Sequence, residues 1–351
     1  NIDIYTANIT NHIKTLSQEC IPNKMVNIRQ SEPPWMHNEL RKLMRKRKRA
    51  YDKAKRTNNI QHWSTYKKLR NETTTLLRSS KRNYFDRLAE KLKNNDTNNK
   101  NWWKILKSFI KDSDKSTIPP LKQNDEIYAN DKDKANLLNS YFKSQTNLDD
   151  SGKALPVIDT INNNQLSALQ TNPYEVQLIL ETLKTGKASG PDTVNNYILK
   201  SCAHELSFPL AELFNASLRS ATVPILWKEA NVTPVYKKDD PSDCRNYRPI
   251  SLLSTIGKVL EKIVHKHVFN FLNANNVISS LQSGFVPGDS TVNQLVDIYN
   301  TFCKALDDGL EVRAVFCDVS KAFDRVWHQG LLLKLKSVGI TGKLLDWFSN
   351  I

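Results

Sequence analysis

The sequence predicts an α+β fold preceded by a basic, mostly helical N-terminal region. Three observations carry this. Charge is unevenly placed: residues 1–115 hold 27 Lys and Arg against 11 Asp and Glu, whereas residues 116–351 hold 24 and 25, within a net charge of +15. Long stretches repeat apolar residues at helical spacing between capping residues and prolines. A few short apolar runs end in carboxylates or basic turns, the pattern of strands that deliver side chains to a site.

Taken in order, residues 1–30 show a short amphipathic pattern and little else. Ser31-Glu32-Pro33-Pro34 reads as a helix start with Pro in the first turn. The helix it opens, Trp35 to Arg56, places ten Lys and Arg among the sixteen residues 41–56, with Leu40, Leu43, Met44, Arg47 and Tyr51 at helical spacing. A second helix is expected from Ile60 to Lys93, its apolar stripe running from Trp63 and Tyr66 to Phe85 and Leu88. The Asn-rich tract 93–100 separates it from a short helix around 102–106. Residues 111–165 read as linker with one helix, Asp131 to Ser144. From Asn172-Pro173 onward, helices are expected at 173–184, 205–220, 255–274 and 290–308, and strands at Glu229–Tyr236 and Arg313–Asp318.

Composition narrows the function classes. Ten cations in sixteen residues repel one another unless an anion neutralises them, which points to nucleic acid at residues 31–110. Arg45, Lys46, Arg47, Lys48 and Arg49 form the densest run. The interleaved aromatics could stack on bases, but their helical spacing favours a core role. No apolar run reaches the roughly 18 residues of a spanning helix, and no signal peptide opens the chain, so no membrane is expected as a partner. The five cysteines are scattered without a CxxC pair, which argues against a zinc site. They fit free thiols in a reducing compartment, hence nucleus and cytoplasm. No stable protein partner is implied. The chain begins with Asn and ends inside an apolar pattern, so a piece of a longer protein is expected.

The chemistry is concentrated in Val312 to Val326. An apolar run ends in Asp318, turn residues follow, and an aromatic, Phe323, stands five residues later, before Asp324. A buried strand would fix the Asp318 carboxylate while the turn backbone stays open to a metal-bound triphosphate. Upstream, Asn231 to Lys238 reads as a strand with a basic turn, and Arg245 to Leu253 as a second extended segment. Two such strands form a flap that closes over phosphates, and Arg suits that task through its planar fork. Asp149-Asp150, Asp239-Asp240 and Asp307-Asp308 read as plain loop carboxylates. Asp324 reads as a cap or salt bridge within its turn, and His328 as a helix start.

Five motifs then stand in a recognisable order. They are Lys187-Ala188-Ser189-Gly190-Pro191-Asp192, Trp227 to Lys238, Asn246 to Leu252, Gln282-Ser283-Gly284-Phe285 with Ser290-Thr291, and Asp318 to Asp324. Together they resemble the fingers and opening palm of a non-LTR (LINE-like, jockey/CR1-type) retrotransposon reverse transcriptase, over about residues 170–345. The resemblance implies a right-hand polymerase truncated within the palm. Its parts would be 1–30 as the tail of an upstream segment, 31–115 as a basic nucleic-acid-binding region and 116–168 as linker. Fingers over 169–310 and a palm start over 311–351 would follow. Asp318 and the Val319 carbonyl match a metal site for Mg²⁺, two ions in the complete enzyme. Arg248, with Lys237 or Lys238, matches contacts to the incoming dNTP, and Phe323 matches the aromatic under its sugar. Lys187, Gln282, Gly284 and Phe285 match template-side positions. The partners implied are template RNA, a DNA primer or target, and dNTPs. Two departures stand out: Val286 replaces a usual Arg, and Asp289 occupies a place that is often basic. The family's aromatic-x-Asp-Asp motif does not occur in these 351 residues, so the chain by itself is expected to lack turnover. The competing readings are a non-catalytic nucleic-acid-binding module and a remnant of a decayed mobile element.

Overall fold

A computed structural model of the protein describes residues 1–22, 32–93, 102–103, 105–106, 118–124, 126–147, 149–150 and 152–351. Two units are present, residues 24–117 and residues 1–23 with 118–351. Helices are numbered in chain order from α1 (Ile2–Cys20), which lies in the second of these.

The 24–117 unit is built on α2 (Asn38–Thr57) and α3 (Ile60–Lys93), which pack on each other. Asn58, in the left-handed conformation that Asn tolerates, makes the turn between them. The second helix runs as the sequence predicts. The first begins at Asn38, not at the Ser31-Glu32-Pro33-Pro34 start; Ser31 itself lies outside the described residues. Pro34 biases Pro33 away from helical geometry. The Trp35 ring packs 5.9 Å from Tyr84 and 5.8 Å from Phe85, so it is spent on α3 rather than on a first turn. His37 becomes the cap, its Nδ1 accepting from the Leu40 N–H at 3.4 Å. Residues 102–103 and 105–106 are helical, as expected.

The other unit is richer than its sequence suggests. Residues 1–30 were expected to show little, yet α1 is a full helix, capped when the Asn1 side chain accepts from the Asp3 N–H at 2.8 Å. Its Ile13 joins the main core. The stretch that reads as linker holds an antiparallel hairpin, β1 (Leu121–Gln123) and β2 (Glu126–Tyr128), before α4 (Asp131–Thr146). Leu121, Leu137 and Leu138 bury against Cys244 and Tyr247 in a small separate cluster.

The main core is helical. It draws on α5 (Pro173–Glu181), α6 (Asn196–Ser201), α7 (Ala203–Ser220) and α8 (Ile225–Lys228). After β3 (Ala230–Tyr236) and β4 (Tyr247–Leu253) come α9 (Thr255–Ala274), α10 (Thr291–Asp307), α11 (His328–Ser337) and α12 (Gly342–Ser349). Phe214, Leu260, Ile263, Ile340 and Trp347 are almost fully buried. The Trp347 indole N–H donates to Ser217 Oγ at 3.1 Å, which satisfies its polar edge. Mixed helix with two short hairpins is compatible with the α+β class.

Glu175, 9 % exposed, ties α5 to α9. It accepts from Lys266 at 2.8 Å, meets His267 at 3.1 Å and takes the Thr171 hydroxyl at 2.9 Å. Burial pushes its carboxyl pKa up, but the bonds from Lys266, His267 and Thr171 outweigh burial and hold it below the ordinary range. A lowered folded pKa stabilises above the unfolded value and loses that stabilisation as pH falls through the folded value. Glu175→Gln is therefore expected to cost about 1–3 kcal/mol near neutral pH. The difference from the parent should shrink as pH drops below about 4. Chemical denaturation of both proteins across that range checks it; a pH-independent difference would show that charge is not what holds the joint.

One expected element does not form. Residues 313–318 are not a strand, and Val315 and Phe316 are 86 % and 88 % exposed. A strand exists through its ladder partners; among the described residues β3 ladders with β4 and β1 with β2, and β1 adds one bridge from Lys122 to Asp243. Among the described residues nothing pairs with this run. The neighbouring α10 likewise buries none of its side chains, leaving Val292, Leu295, Val296 and Tyr299 exposed.

Candidate functional site

The β3–β4 hairpin carries the cations of the expected flap. Its register sets Val235 opposite Arg248 and Tyr236 opposite Tyr247. The ladder continues one step, with the Lys237 N–H donating to the Asn246 carbonyl at 2.8 Å. Side chains alternate along a strand and directly opposed residues share a face. Lys237 therefore falls on the Arg248 face, and Lys238 lies past the last ladder bond, in the bend that begins the turn. All three side chains are exposed.

The connecting turn is held by its own carboxylates. Asp240 accepts from the Ser242 N–H at 2.9 Å and hydroxyl at 2.8 Å, bonds that hold its pKa below the usual carboxylate range. Arg245 pairs with Asp243 at 2.7 Å. Asp239-Asp240 thus has the loop role expected of it. Asp150 pairs with Lys153 at 2.7 Å, and Asp307 closes α10.

The Lys187–Asp192 loop docks onto the far end of the hairpin. Gly190 lies so close to Leu253 that a Cβ there would meet the Leu253 carbonyl carbon at 2.5 Å. Asp192, 1 % exposed, accepts from Ser254 Oγ at 2.5 Å. Ser254 is also the cap of α9. Thr255 donates to Asn196 Oδ1 at 2.9 Å, and Asn196 donates to the Lys184 carbonyl at 2.9 Å. The motif that reads as a plain turn is the clamp that fixes strand β4 to helix α9. Lys187 lines a cavity of about 290 Å³ with Lys258 and Lys262, two cations that sequence reasoning passed over. Their i, i+4 spacing on α9 was the available signal.

The fourth motif and the aromatic after Asp318 come together. The Phe285 and Phe323 rings meet edge to face, with centroids 6.0 Å apart. Phe285 holds a φ of +63°, a conformation a bulky side chain rarely adopts. Gln282 donates to the Gly284 carbonyl at 3.1 Å, and Ser283 bonds Gln294 of α10. Asp289, where a base is usual, has a lowered pKa through bonds from Ser283 and then the Ser290 N–H. It serves the start of α10, a local role that leaves no cation for a phosphate there.

Asp318 and Val319 are exposed, Val319 at 72 %, on the unpaired run. The carboxylate is therefore not fixed by a strand. Asp324 forms neither the cap nor the salt bridge expected of it among the described residues. His328 opens α11, as the sequence predicts. No group of three or more His, Cys, Asp or Glu among the described residues could hold a metal ion. A two-ion Mg²⁺ site needs several carboxylates, so the side chains gathered at Asp318 do not by themselves fit one. All five cysteines are free. Among the described residues no helix is long and apolar enough to cross a membrane.

In the 24–117 unit, Arg45, Arg47 and Lys48 line a groove between α2 and α3, whereas Lys46 and Arg49 are exposed outside its lining. None of the five pairs with a carboxylate among the described residues.

Comparison with known proteins agrees with the motif reading. Residues 235–351 match the family described as reverse transcriptase (RNA-dependent DNA polymerase). The chain is 27 % identical over 307 residues to a probable RNA-directed DNA polymerase from transposon BS of Drosophila melanogaster, covering 86 % of this chain and 34 % of that protein. It is 27 % identical over 342 residues to the RNA-directed DNA polymerase from mobile element jockey of Drosophila funebris, covering 93 % and 36 %. A probable RNA-directed DNA polymerase from transposon X-element of Drosophila melanogaster is 33 % identical over 165 residues, 47 % of this chain and 18 % of that protein. The chain spans about a third of the length of the first two of these relatives.

Proposed function

We propose, for a chain whose residues 235–351 match the reverse transcriptase family, that it supplies the fingers and opening palm of an RNA-directed DNA polymerase of a non-LTR retrotransposon. The observation that carries this is the order of five motifs from Lys187 to Asp324 within a chain that resembles jockey-type polymerases along most of its length. Residues 169–310 act as fingers and 311–351 as the start of the palm, with 31–115 as the basic nucleic-acid-binding region. Residues 1–30 close an upstream segment, and 116–168 connect the basic region to the fingers.

Arg248 and Lys237, on one face of the β3–β4 hairpin, grip the triphosphate of the incoming dNTP, with Lys238 in the adjoining bend as the alternative lysine. Phe323 sits under the sugar and excludes a 2′-hydroxyl. Lys187, Gln282, Gly284 and Phe285 face the template. Reverse transcriptases use divalent metal ions. Here Asp318 and the Val319 carbonyl are the ligands this chain offers to a two-Mg²⁺ site, which needs further carboxylates. The 351 residues alone therefore have no polymerase turnover. Template RNA, a DNA primer or target and dNTPs are the partners, met in nucleus and cytoplasm.

The basic region binds through phosphates, so affinity for RNA should fall steeply with salt, with a log–log slope of about −4 or steeper. Replacing Arg45, Lys46, Arg47, Lys48 and Arg49 together with Gln should flatten that slope by about 2 or more. Anisotropy titrations at several salt concentrations check this. Salt-insensitive binding, or an unchanged slope in the variant, overturns the assignment.

A further inference from the structure

We propose that the groove between α2 and α3 is a binding site for an unpaired nucleotide, gripping its phosphates with Arg45, Arg47, Lys48 and Arg70 and stacking its base on Tyr51 and Tyr66. This rests on the reading of residues 31–115 as nucleic-acid-binding and deepens it.

The groove measures about 570 Å³. Arg45, Arg47, Lys48 and Tyr51 come from α2, and Tyr66 and Arg70 from α3. Residues 44, 47, 48 and 51 share one helical face, as do 66 and 70, so two neighbouring faces concentrate the cations and rings. The Tyr51 and Tyr66 centroids lie 5.2 Å apart at 57°, and Trp63 abuts both, at 6.1 Å and 5.9 Å. The tyrosines are therefore held at the groove by packing, yet Tyr51 remains 38 % exposed. None of the four cations has a carboxylate partner among the described residues; Arg70 bonds only the neighbouring Asn71 amide oxygen at 3.2 Å. No acid lines the groove.

Such a combination selects its ligand. Unpaired guanidinium and ammonium groups call for phosphate. Aromatic faces call for a flat π-system, and Arg adds to stacking through its own plane. A duplex covers its base faces by internal stacking, so only an unpaired nucleotide offers both chemistries at once. An acidic peptide would satisfy the cations and leave the rings unused.

The full chain should be titrated with fluorescent single-stranded oligouridylate, with the abasic strand of equal phosphate count, and with oligouridylate annealed to oligoadenylate. The bases should tighten binding about tenfold over the abasic strand, given typical stacking on one or two rings. Tyr51→Leu with Tyr66→Leu should remove that preference and leave the salt slope unchanged; Tyr→Phe at both positions should retain it. Arg45→Gln, Arg47→Gln and Lys48→Gln together should flatten the slope and retain the preference. Bromouridine crosslinking of the unmodified protein should map to Tyr51 or Tyr66, which guards against a Leu variant that fails to fold. Equal affinity for the base-bearing and abasic strands, a crosslink only elsewhere, or polyglutamate competing as well as oligouridylate would overturn the groove while leaving phosphate binding intact. Absence of binding to all three probes at low salt would overturn the nucleic-acid reading as well.

Discussion

Primer extension by this chain continued through the rest of a palm is expected to fall by about a thousandfold or more when Asp318 becomes Asn. The variant keeps the shape of the side chain and removes the charge that a metal ion needs. A metal-held charge at the reacting oxygens contributes several kcal/mol of transition-state stabilisation, and each 1.4 kcal/mol is about tenfold in rate. Asp318→Ala should fail equally. Asp307→Asn with Asp308→Asn should leave activity intact, because that pair lies at the end of α10. The 351-residue chain should extend no primer with any divalent ion. Its Asp318 sits on an exposed, unpaired run, and no group of three potential ligands gathers among the described residues. A catalytic ligand must be held within a fraction of an ångström of its working position, and this one is not held by a ladder. Extension by the chain alone, or survival of activity in Asp318→Asn, would move the catalytic centre elsewhere.

Gly190→Ala should destabilise the 1–23 and 118–351 unit by about 3 kcal/mol, the upper part of the range for forcing atoms into a packed site. The added methyl would fall 2.5 Å from the Leu253 carbonyl carbon and 2.6 Å from the Ser254 nitrogen. Both are backbone atoms at the junction of β4 and α9, so neither can swing away as a flexible side chain would. Relief requires the loop to lift, which parts Asp192 from Ser254 Oγ and costs a buried hydrogen bond. Gly186→Ala, four residues earlier in the same loop, meets nothing within 4 Å and should change stability by less than about 0.5 kcal/mol. Urea denaturation of the two variants separates close approach from general loop rigidity. If both variants are equally stable, the clamp at Gly190 is not what fixes the hairpin.

What the sequence determined by itself was local. Helical periodicity located α3 and α9 at their observed bounds, because their apolar stripes are long. Alternation and turn chemistry located β3 and β4, whose pairing partners are neighbours in the chain. Charge counting located the basic helices, and motif order pointed to a reverse transcriptase. What only the tertiary structure decided depended on atoms far apart in sequence. Gly190 and Asp192 read as turn residues until they were seen against Leu253 and Ser254, more than sixty residues on. Lys187 gained Lys258 and Lys262 as companions in the same way. Lys237 and Lys238 are indistinguishable in sequence, whereas the register with Arg248 gives Lys237 a face and leaves Lys238 past the last ladder bond. The apolar run before Asp318 reads as a buried strand, but composition supplies only the propensity for a strand. Burial and pairing come from other strands, and among the described residues none pairs with it.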